Sequence, residues 1–219
     1  MKELNFEIIT NEDWQKSNDL KIIFNQSSRL LSDKLNQFNV SVGDITESAR
    51  GILVDKSDYS AVVLGDEYKA VLNGKLDRYV TEDSFEFVKY GDNLRERPSS
   101  FDIFVGNRIL VRRIISRQFR IMASIAVNDF VTKKDIYIFK LKNEDFSIQY
   151  ILSIINSKLI SYLKTKSSTT AKKDDFTQLT LSDIRQIKIP QIDAKAQKPS
   201  ILTCINSFSI LESICSSTF

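Results

Sequence analysis

The chain contains no histidine. With it go the commonest general base at neutral pH, the commonest metal ligand and every Ser-His or Cys-His nucleophilic arrangement. Its six glycines (Gly43, Gly51, Gly65, Gly74, Gly91, Gly106) stand at least eight residues apart. Neither a G-x-G-x-x-G turn nor a Walker-type phosphate loop can be written, which removes a nucleotide or S-adenosylmethionine pocket built on a glycine turn. The three prolines (Pro98, Pro190, Pro199) are never adjacent, so an Asn-Pro-Pro-Tyr motif for gripping an extruded adenine is missing too. No apolar run approaches the ~20 residues that cross a bilayer. The first thirty residues lack a signal-peptide core, and a cytoplasmic location is the expectation. Cys204 and Cys215, eleven positions apart in a stretch read as helical, would lie ~16 Å apart along the axis, too far for a disulfide. They read as small buried hydrophobes in a reducing compartment.

What remains is a chain of 219 residues, 42% hydrophobic and 27% charged, enough to bury a substantial core. Residues 20–38 place Leu20, Ile23, Phe24, Leu31, Leu35 and Phe38 at helical spacing, and Trp14 precedes them as a packing anchor. From about 40 to 141 the pattern changes to short β-branched and aromatic runs between turn signals: 51–54, 60–64, 85–88, 108–112, 121–126 and 135–140. These predict a mostly antiparallel sheet. Residues 146–165 predict one helix burying Ile148, Ile151, Leu152, Ile155, Leu159 and Leu163, capped by Ser147 and stapled by Phe146 and Ile151. A polar loop at 165–175 follows, then a short helix opened by Thr180 and Asp183, an extended 188–190, and a last helix starting near Pro199.

The net charge of +3 is unevenly distributed. No carboxylate stands between Asp102 and Asp129, while Arg108, Arg112, Arg113, Arg117 and Arg120 fall within those 26 residues. Such a strand-turn-strand suits a polyanion, and the arginine fork can bind a phosphate or a guanine edge bidentately. The plainer alternative pairs these arginines with distant carboxylates such as Asp44, Glu47, Glu82 or Glu86. Alternation along the strand groups Ile109, Val111 and Ile115 with Arg113 on the more apolar face. Arg108 and Arg112 are therefore expected to point outward, with Arg113 and Arg117 emerging at the strand end. Lys133-Lys134 and Lys172-Lys173 are loop pairs, solvated surface or phosphate contacts. One catalytic alternative exists: Asp58 with Glu67 and Lys69 imitates the acidic pair plus lysine that holds Mg²⁺ in phosphodiesterases. It competes with a solvated turn after Gly65.

The order of short motifs is more specific. Residues 71–75 (VLNGK) leading to Arg78-Tyr79, then 107–114 (NRILVRRI), 154–159 (IINSKL) and 181–190 (LSDIRQIKIP) resemble the TaqI-like C-terminal specificity domain. That domain occurs in type IIG restriction–modification enzymes and adenine-specific DNA methyltransferases, and the resemblance spans roughly 40–192. It implies an α+β fold, a twisted, mostly antiparallel sheet with flanking helices that reads double-stranded DNA. It also implies a methyltransferase domain of the same polypeptide that carries catalysis on adenine N6, S-adenosylmethionine and, if a nuclease is present, Mg²⁺, with no cofactor in this chain. Residues 1–42 would be a helical connector and 43–192 the recognition domain, β-rich over 43–145 and helical over 146–192. Residues 193–219 would be a C-terminal helix packed on it. Arg50, Lys56, Lys75 and Arg78 would join the arginine strand and the lysine pairs as DNA contacts. The chain departs from the family pattern at Leu53-Val54, where Thr-Gly is usual, and at Leu76-Asp77, where the family often has Asp-Ile between Gly-Lys/Arg and the Arg-Tyr pair matched by Arg78-Tyr79. Half of a type I restriction specificity subunit is the neighbouring alternative. A long heptad helix would favour it, and the final helix reads as too short.

Overall fold

Residues 26–115, 119–167, 178–193 and 195–197 are described in a computed structural model of the chain. The β-branched runs form seven strands in two antiparallel sheets. Strands β1 (Thr46–Arg50), β5 (Arg108–Arg112), β6 (Ala123–Ala126) and β7 (Ile136–Leu141) make a four-stranded sheet in the order β1-β7-β5-β6. Strands β2 (Tyr59–Ser60), β3 (Tyr68–Leu72) and β4 (Phe85–Lys89) make a three-stranded sheet in the order β2-β4-β3. The helices are α1 (Gln26–Asn36), α2 (Val42–Ile45), α3 (Ile148–Ile155), α4 (Lys158–Ser167) and α5 (Leu181–Arg185). The α+β expectation holds. Trp14, Leu20, Ile23, Phe24, residues 168–177 and the last helix with its two cysteines lie outside the described residues. No helix among the described residues is long and apolar enough to cross a membrane.

Alternation on β5 feeds two cores. Ile109 and Val111, with Tyr137, Phe139 and Ala123 from the neighbouring strands, meet Tyr150, Ile151, Leu152 and Ile155 of α3 and Ile184 of α5. Leu110, Ile138, Met122 and Ala126 point the other way and meet Val71, Leu72 and Val88 of the smaller sheet. The four-stranded sheet is thus buried on both faces, each fully buried aliphatic or aromatic side chain contributing about 1.5–3 kcal/mol. The expectation that one face of 108–114 is solvated is corrected here: the smaller sheet covers it. Main-chain stitches join the layers, from Leu72 N to Val131 O at 2.9 Å and Ile52 N to Thr132 O at 2.8 Å. This close approach accounts for Gly51, where a Cβ would collide with the Thr132 and Lys133 carbonyls. Gly74 abuts the Glu82 carbonyl in the same way.

Strand assignment from local pattern fails in several places: residues 51–54 pair only through isolated bridges at Ile52 and Leu53, and β3 stands where no strand was expected. Val62, Val63 and Leu64 form no strand but an exposed turn, because strand β2 finds a partner in β4 for Tyr59 and Ser60 alone. The polar run 46–50, in contrast, is a strand, since it pairs along its whole length with the edge of β7. Propensity yields to pairing in both cases.

The helix expected over 146–165 is broken at Asn156–Ser157 into α3 and α4. The reason is the Asn156 side chain, 1% exposed. Arg112 N donates to Met122 O, so alternation turns the Ala123 peptide groups toward the open edge of β6. The Asn156 carboxamide takes both: Ala123 N donates to its Oδ1 at 3.0 Å and its Nδ2 donates to Ala123 O at 2.9 Å. Ile121 N donates to Ser161 Oγ at 3.1 Å one turn later. The helix corner therefore replaces a missing strand. The Asn156 side chain is thus a structural group of the sheet edge. Ser147 precedes α3 without capping it through its side chain; its N–H instead donates to Gln197 Oε1 at 2.7 Å. Thr180 and Asp183 do form the reciprocal capping box of α5.

Replacing Asn156 by alanine leaves the buried Ala123 N–H unpaired and takes one of two donors from Ala123 O, which keeps Tyr79 N, and is expected to lower unfolding stability by about 1–3 kcal/mol. Asn156→Asp retains an acceptor for Ala123 N but no donor for Ala123 O, and is expected to fall in the same range at neutral pH. Denaturant unfolding of the three proteins checks this.

Candidate nucleic-acid interface

Antiparallel pairing fixes where the basic residues go. Register places Arg50 opposite Tyr137, Tyr137 opposite Val111, and Val111 opposite Ala123, a row that crosses one end of the four-stranded sheet. Arg50 stands on that row. Just beyond it lie Arg112 and Arg113 at the end of β5, Lys133 and Lys134 before β7, and Arg120 before β6. Tyr79 N donates to Ala123 O at 2.8 Å, which brings the Arg78 turn to the same end. Seven of the thirteen sequence-predicted contacts, Arg50, Arg78, Arg112, Arg113, Arg120, Lys133 and Lys134, are therefore gathered at one end of one sheet. At the opposite end, beyond the Thr46–Leu141 pair, charge is mixed: Asp44, Glu144 and Asp145 stand there with Lys142, whose Nζ donates to Asp44 O at 3.0 Å, and Lys140 Nζ donates to Asp102 O at 2.9 Å.

The cations are not equally free. Lys133 Nζ pairs with Glu86 at 3.0 Å and lies over the Tyr59 ring. Arg113 bonds Gln178 Oε1 at 2.8 Å and lies 3.7 Å from Asp135, and Arg50 lies 3.9 Å from Glu96. Of the described arginines to which the distant-carboxylate alternative applied, Arg113 alone lies within ion-pair reach of a carboxylate, and that is Asp135 rather than one it named. Arg120 Nη2 donates to the Asn156 carbonyl at 2.8 Å, at the C-terminus of α3. Burial, and then the nearby Arg78 guanidinium, push its pKa down. Among the described residues no side-chain hydrogen bond or ion pair engages Arg78, Arg112 or Lys134. Arg78 is exposed, and Arg112 and Lys134 are half-buried. Lys75 pairs with Asp77 at 2.9 Å, and Lys56 is exposed on the turn leading into β2. Arg117, Lys172 and Lys173 lie outside the described residues.

Arg108 is a correction. Expected to face outward, it is fully buried at the opposite end of the sheet. Its Nη1 donates to Gly106 O at 2.7 Å and Asn128 O at 2.9 Å, its Nη2 to Phe130 O at 2.9 Å, and its plane lies 4.6 Å from the Phe130 ring centroid. Burial pushes its pKa down to about 10, partly countered by Asp129. The covering smaller sheet leaves it no route to solvent, and it acts as a clasp on the turn between β6 and β7.

The phosphodiesterase alternative is not assembled. Asp58 adjoins β2 and Glu67 adjoins β3, with β4 between those strands, so they lie about 10 Å apart. Glu67 pairs with Lys89 at 3.6 Å, and Lys69 Nζ donates to Asp66 O at 3.1 Å. Among the described residues no three carboxylate or thiol groups come together to hold a metal ion.

Sequence patterning overlooked Tyr79 and Phe119, both with left-handed backbones (φ 67° and 53°), and the exposure of Val80 beside the first. Backbone handedness leaves no mark in residue spacing. It missed Gln178 as well, whose role in holding Arg113 depends on a contact across 65 positions.

Strands β5, β6 and β7 of the doubly covered sheet, the helix corner and the cationic end other than Arg50 fall within a stretch matched by the profile of a specificity-domain family. The chain belongs to the TaqI-like C-terminal specificity domain family, whose profile matches residues 69–189, inside the 40–192 span on which the resemblance rests. It is 38% identical over 152 residues to a Methanocaldococcus jannaschii protein named as a type II restriction enzyme and methyltransferase, covering 67% of this chain and 12% of that protein. The chain thus spans about an eighth of that relative's length. Among solved structures it aligns with the HsdS subunit of Thermoanaerobacter tengcongensis (TM-score 0.49, 12% identity, 89% of this chain, 46% of that one). A type I restriction–modification S subunit from M. genitalium aligns with a TM-score of 0.39 and 12% identity, over 82% of this chain and 42% of that one.

Arg108→Ala removes donors from three carbonyls, that of Phe130 buried, and empties a fully buried site, and is expected to lower stability by about 3 kcal/mol. Arg112→Ala, which leaves no such group, is expected to stay within about 0.5 kcal/mol. Thermal melts of the two variants separate these roles.

Proposed function

We propose that this chain is the DNA-reading part of a restriction–modification protein, applying the cationic end of its four-stranded sheet to duplex DNA. The observation that carries the reading is the gathering of Arg78, Arg112, Arg120 and Lys134, none paired with a carboxylate, at the end where Arg50, Arg113 and Lys133 also stand. Phosphates supply most of the affinity, and a partly fixed arginine such as Arg113, oriented by Gln178 and Asp135, suits bidentate contact with a guanine edge. Arg50, Lys56, Lys75, Arg117, Lys133, Lys172 and Lys173 supplement the contact surface. Arg108 is not among the contacts.

In this reading residues 1–42 connect to a methyltransferase domain of the same polypeptide, 43–192 read the DNA, and 193–219 close on the same domain. S-adenosylmethionine, and Mg²⁺ if the parent protein cleaves, belong to that other part. The widely spaced glycines of this chain offer no cradle for such a cofactor. The parent protein is a type IIG-like enzyme that modifies adenine N6 in the cytoplasm.

Binding of the chain to a random-sequence duplex, followed by fluorescence anisotropy across a salt series, tests the reading. The logarithm of the affinity is expected to fall linearly with the logarithm of salt, by about 0.9 per phosphate contact. Arg78→Ala, Arg112→Ala and Lys134→Ala are each expected to flatten that slope by about one contact. In the full-length protein Arg113→Ala is expected to cost ~1–3 kcal/mol of site discrimination. A salt-independent affinity, or a methylation pattern and rate unchanged after loss of both Arg112 and Arg113, would remove this surface from the reading.

A further inference from the structure

Two large apolar side chains stand out of the cationic end: Val80 is 63% exposed and Phe119 is 60% exposed. Neither is there by accident of a loose loop. The turn carrying Val80 is closed by Asp77 N donating to Val80 O at 2.9 Å and by the Leu76–Thr81 bridge. It is held on β6 through Tyr79 N to Ala123 O and through the Thr81 and Ser124 hydroxyls. The Tyr79 ring packs into the helix-side core, which turns its neighbours Arg78 and Val80 outward. Phe119 adjoins Arg120, whose guanidinium is anchored on the helix corner. Tyr79 and Phe119 have left-handed backbones, a conformation that costs a side-chain-bearing residue about 1–3 kcal/mol and persists where the surroundings enforce it. The two segments, forty positions apart in sequence, approach each other closely enough for Arg78 and Tyr79 to act on the charge of Arg120.

We infer that Val80 and Phe119 read thymine, through contact with its 5-methyl group in the major groove. The inference deepens the DNA-reading proposal and rests on it. An apolar group can distinguish thymine from the other bases only by that methyl. The flanking charges select a polyanion rather than a protein as the occupant: Arg78 is exposed and unpaired, and it lies near enough to Arg120 for the two like charges to be felt. Arginines on the phosphates would set the depth at which the two apolar side chains meet the base edges.

The test begins with selection of a preferred sequence from a randomised duplex pool by the wild-type chain. Each thymine in the selected duplex is then replaced by deoxyuridine, which removes the methyl group and nothing else. Loss of a buried methyl is expected to weaken binding by roughly threefold to fivefold at a contacted position. Val80→Ser and Phe119→Ser are each expected to abolish the difference between thymine and deoxyuridine at one position, with the salt slope and melting temperature unchanged. If the wild-type chain selects no sequence, the DNA-reading proposal falls and this inference with it. If a sequence is selected but no thymine in it responds to deoxyuridine, or both variants keep the full discrimination, the inference alone is overturned.

Discussion

The Asn156 carboxamide holding the Ala123 peptide is the interaction on which the rest of this domain depends. Strand β6 ends the main sheet, and an open edge is where a sheet frays or recruits a stranger. One side chain supplies the donor and the acceptor that a fifth strand would have offered there. To deliver it, the helix must stop at Asn156 and restart at Lys158, and the corner so formed collects further partners. Arg120 donates to the Asn156 carbonyl, Ser161 receives Ile121 N, and Tyr79 N shares the Ala123 carbonyl. The helix pair, the sheet edge and the Arg78 turn are thereby set in one geometry.

Burial of the main sheet on both faces explains the division of labour among its arginines. A guanidinium in the middle of such a sheet has to find carbonyl partners or reach an end. Arg108 begins β5 and finds three carbonyls; Arg112 and Arg113 end it and emerge. Antiparallel neighbours deliver Arg50, Lys133, Lys134 and Arg120 to the same end, because strand direction reverses while the register row is common to all four strands. The other end mixes Asp44 and Asp102 with Lys142 and Lys140, and an excess of cations at one end draws a polyanion there.

Two of the family's motif positions are structural for reasons visible in the main chain. Gly51 and Gly74 sit where carbonyls of another segment occupy the space of a Cβ. Gly51 lets the segment after β1 close on Thr132 and Lys133, and Gly74 closes the base of the hairpin that carries Arg78. The departures from the family pattern fall next to them, at Leu53-Val54 and Leu76-Asp77, where Leu76 and Val54 are core residues of the smaller sheet. That replacement alters packing while leaving the close approaches in place.

The sequence by itself determined the class of the fold, strands β4, β5 and β7 nearly to the residue, the capping box at Thr180 and Asp183, and the family, through short motifs in a fixed order. It also located the concentration of arginine. Local patterns suffice for these because alternation, capping and motif order are properties of neighbouring residues. Tertiary structure alone decided that Arg108 is a clasp and Arg112 a free cation, that 46–50 is a strand and 62–64 is not, and that one helix is two. Each of those outcomes turns on what lies across the space from a residue: a second sheet over β5, the β7 edge beside 46–50, the Ala123 peptide facing Asn156. Such partners are tens of positions away in the chain, and their free energy of contact outweighs the fraction of a kcal/mol by which local propensity prefers one conformation to another.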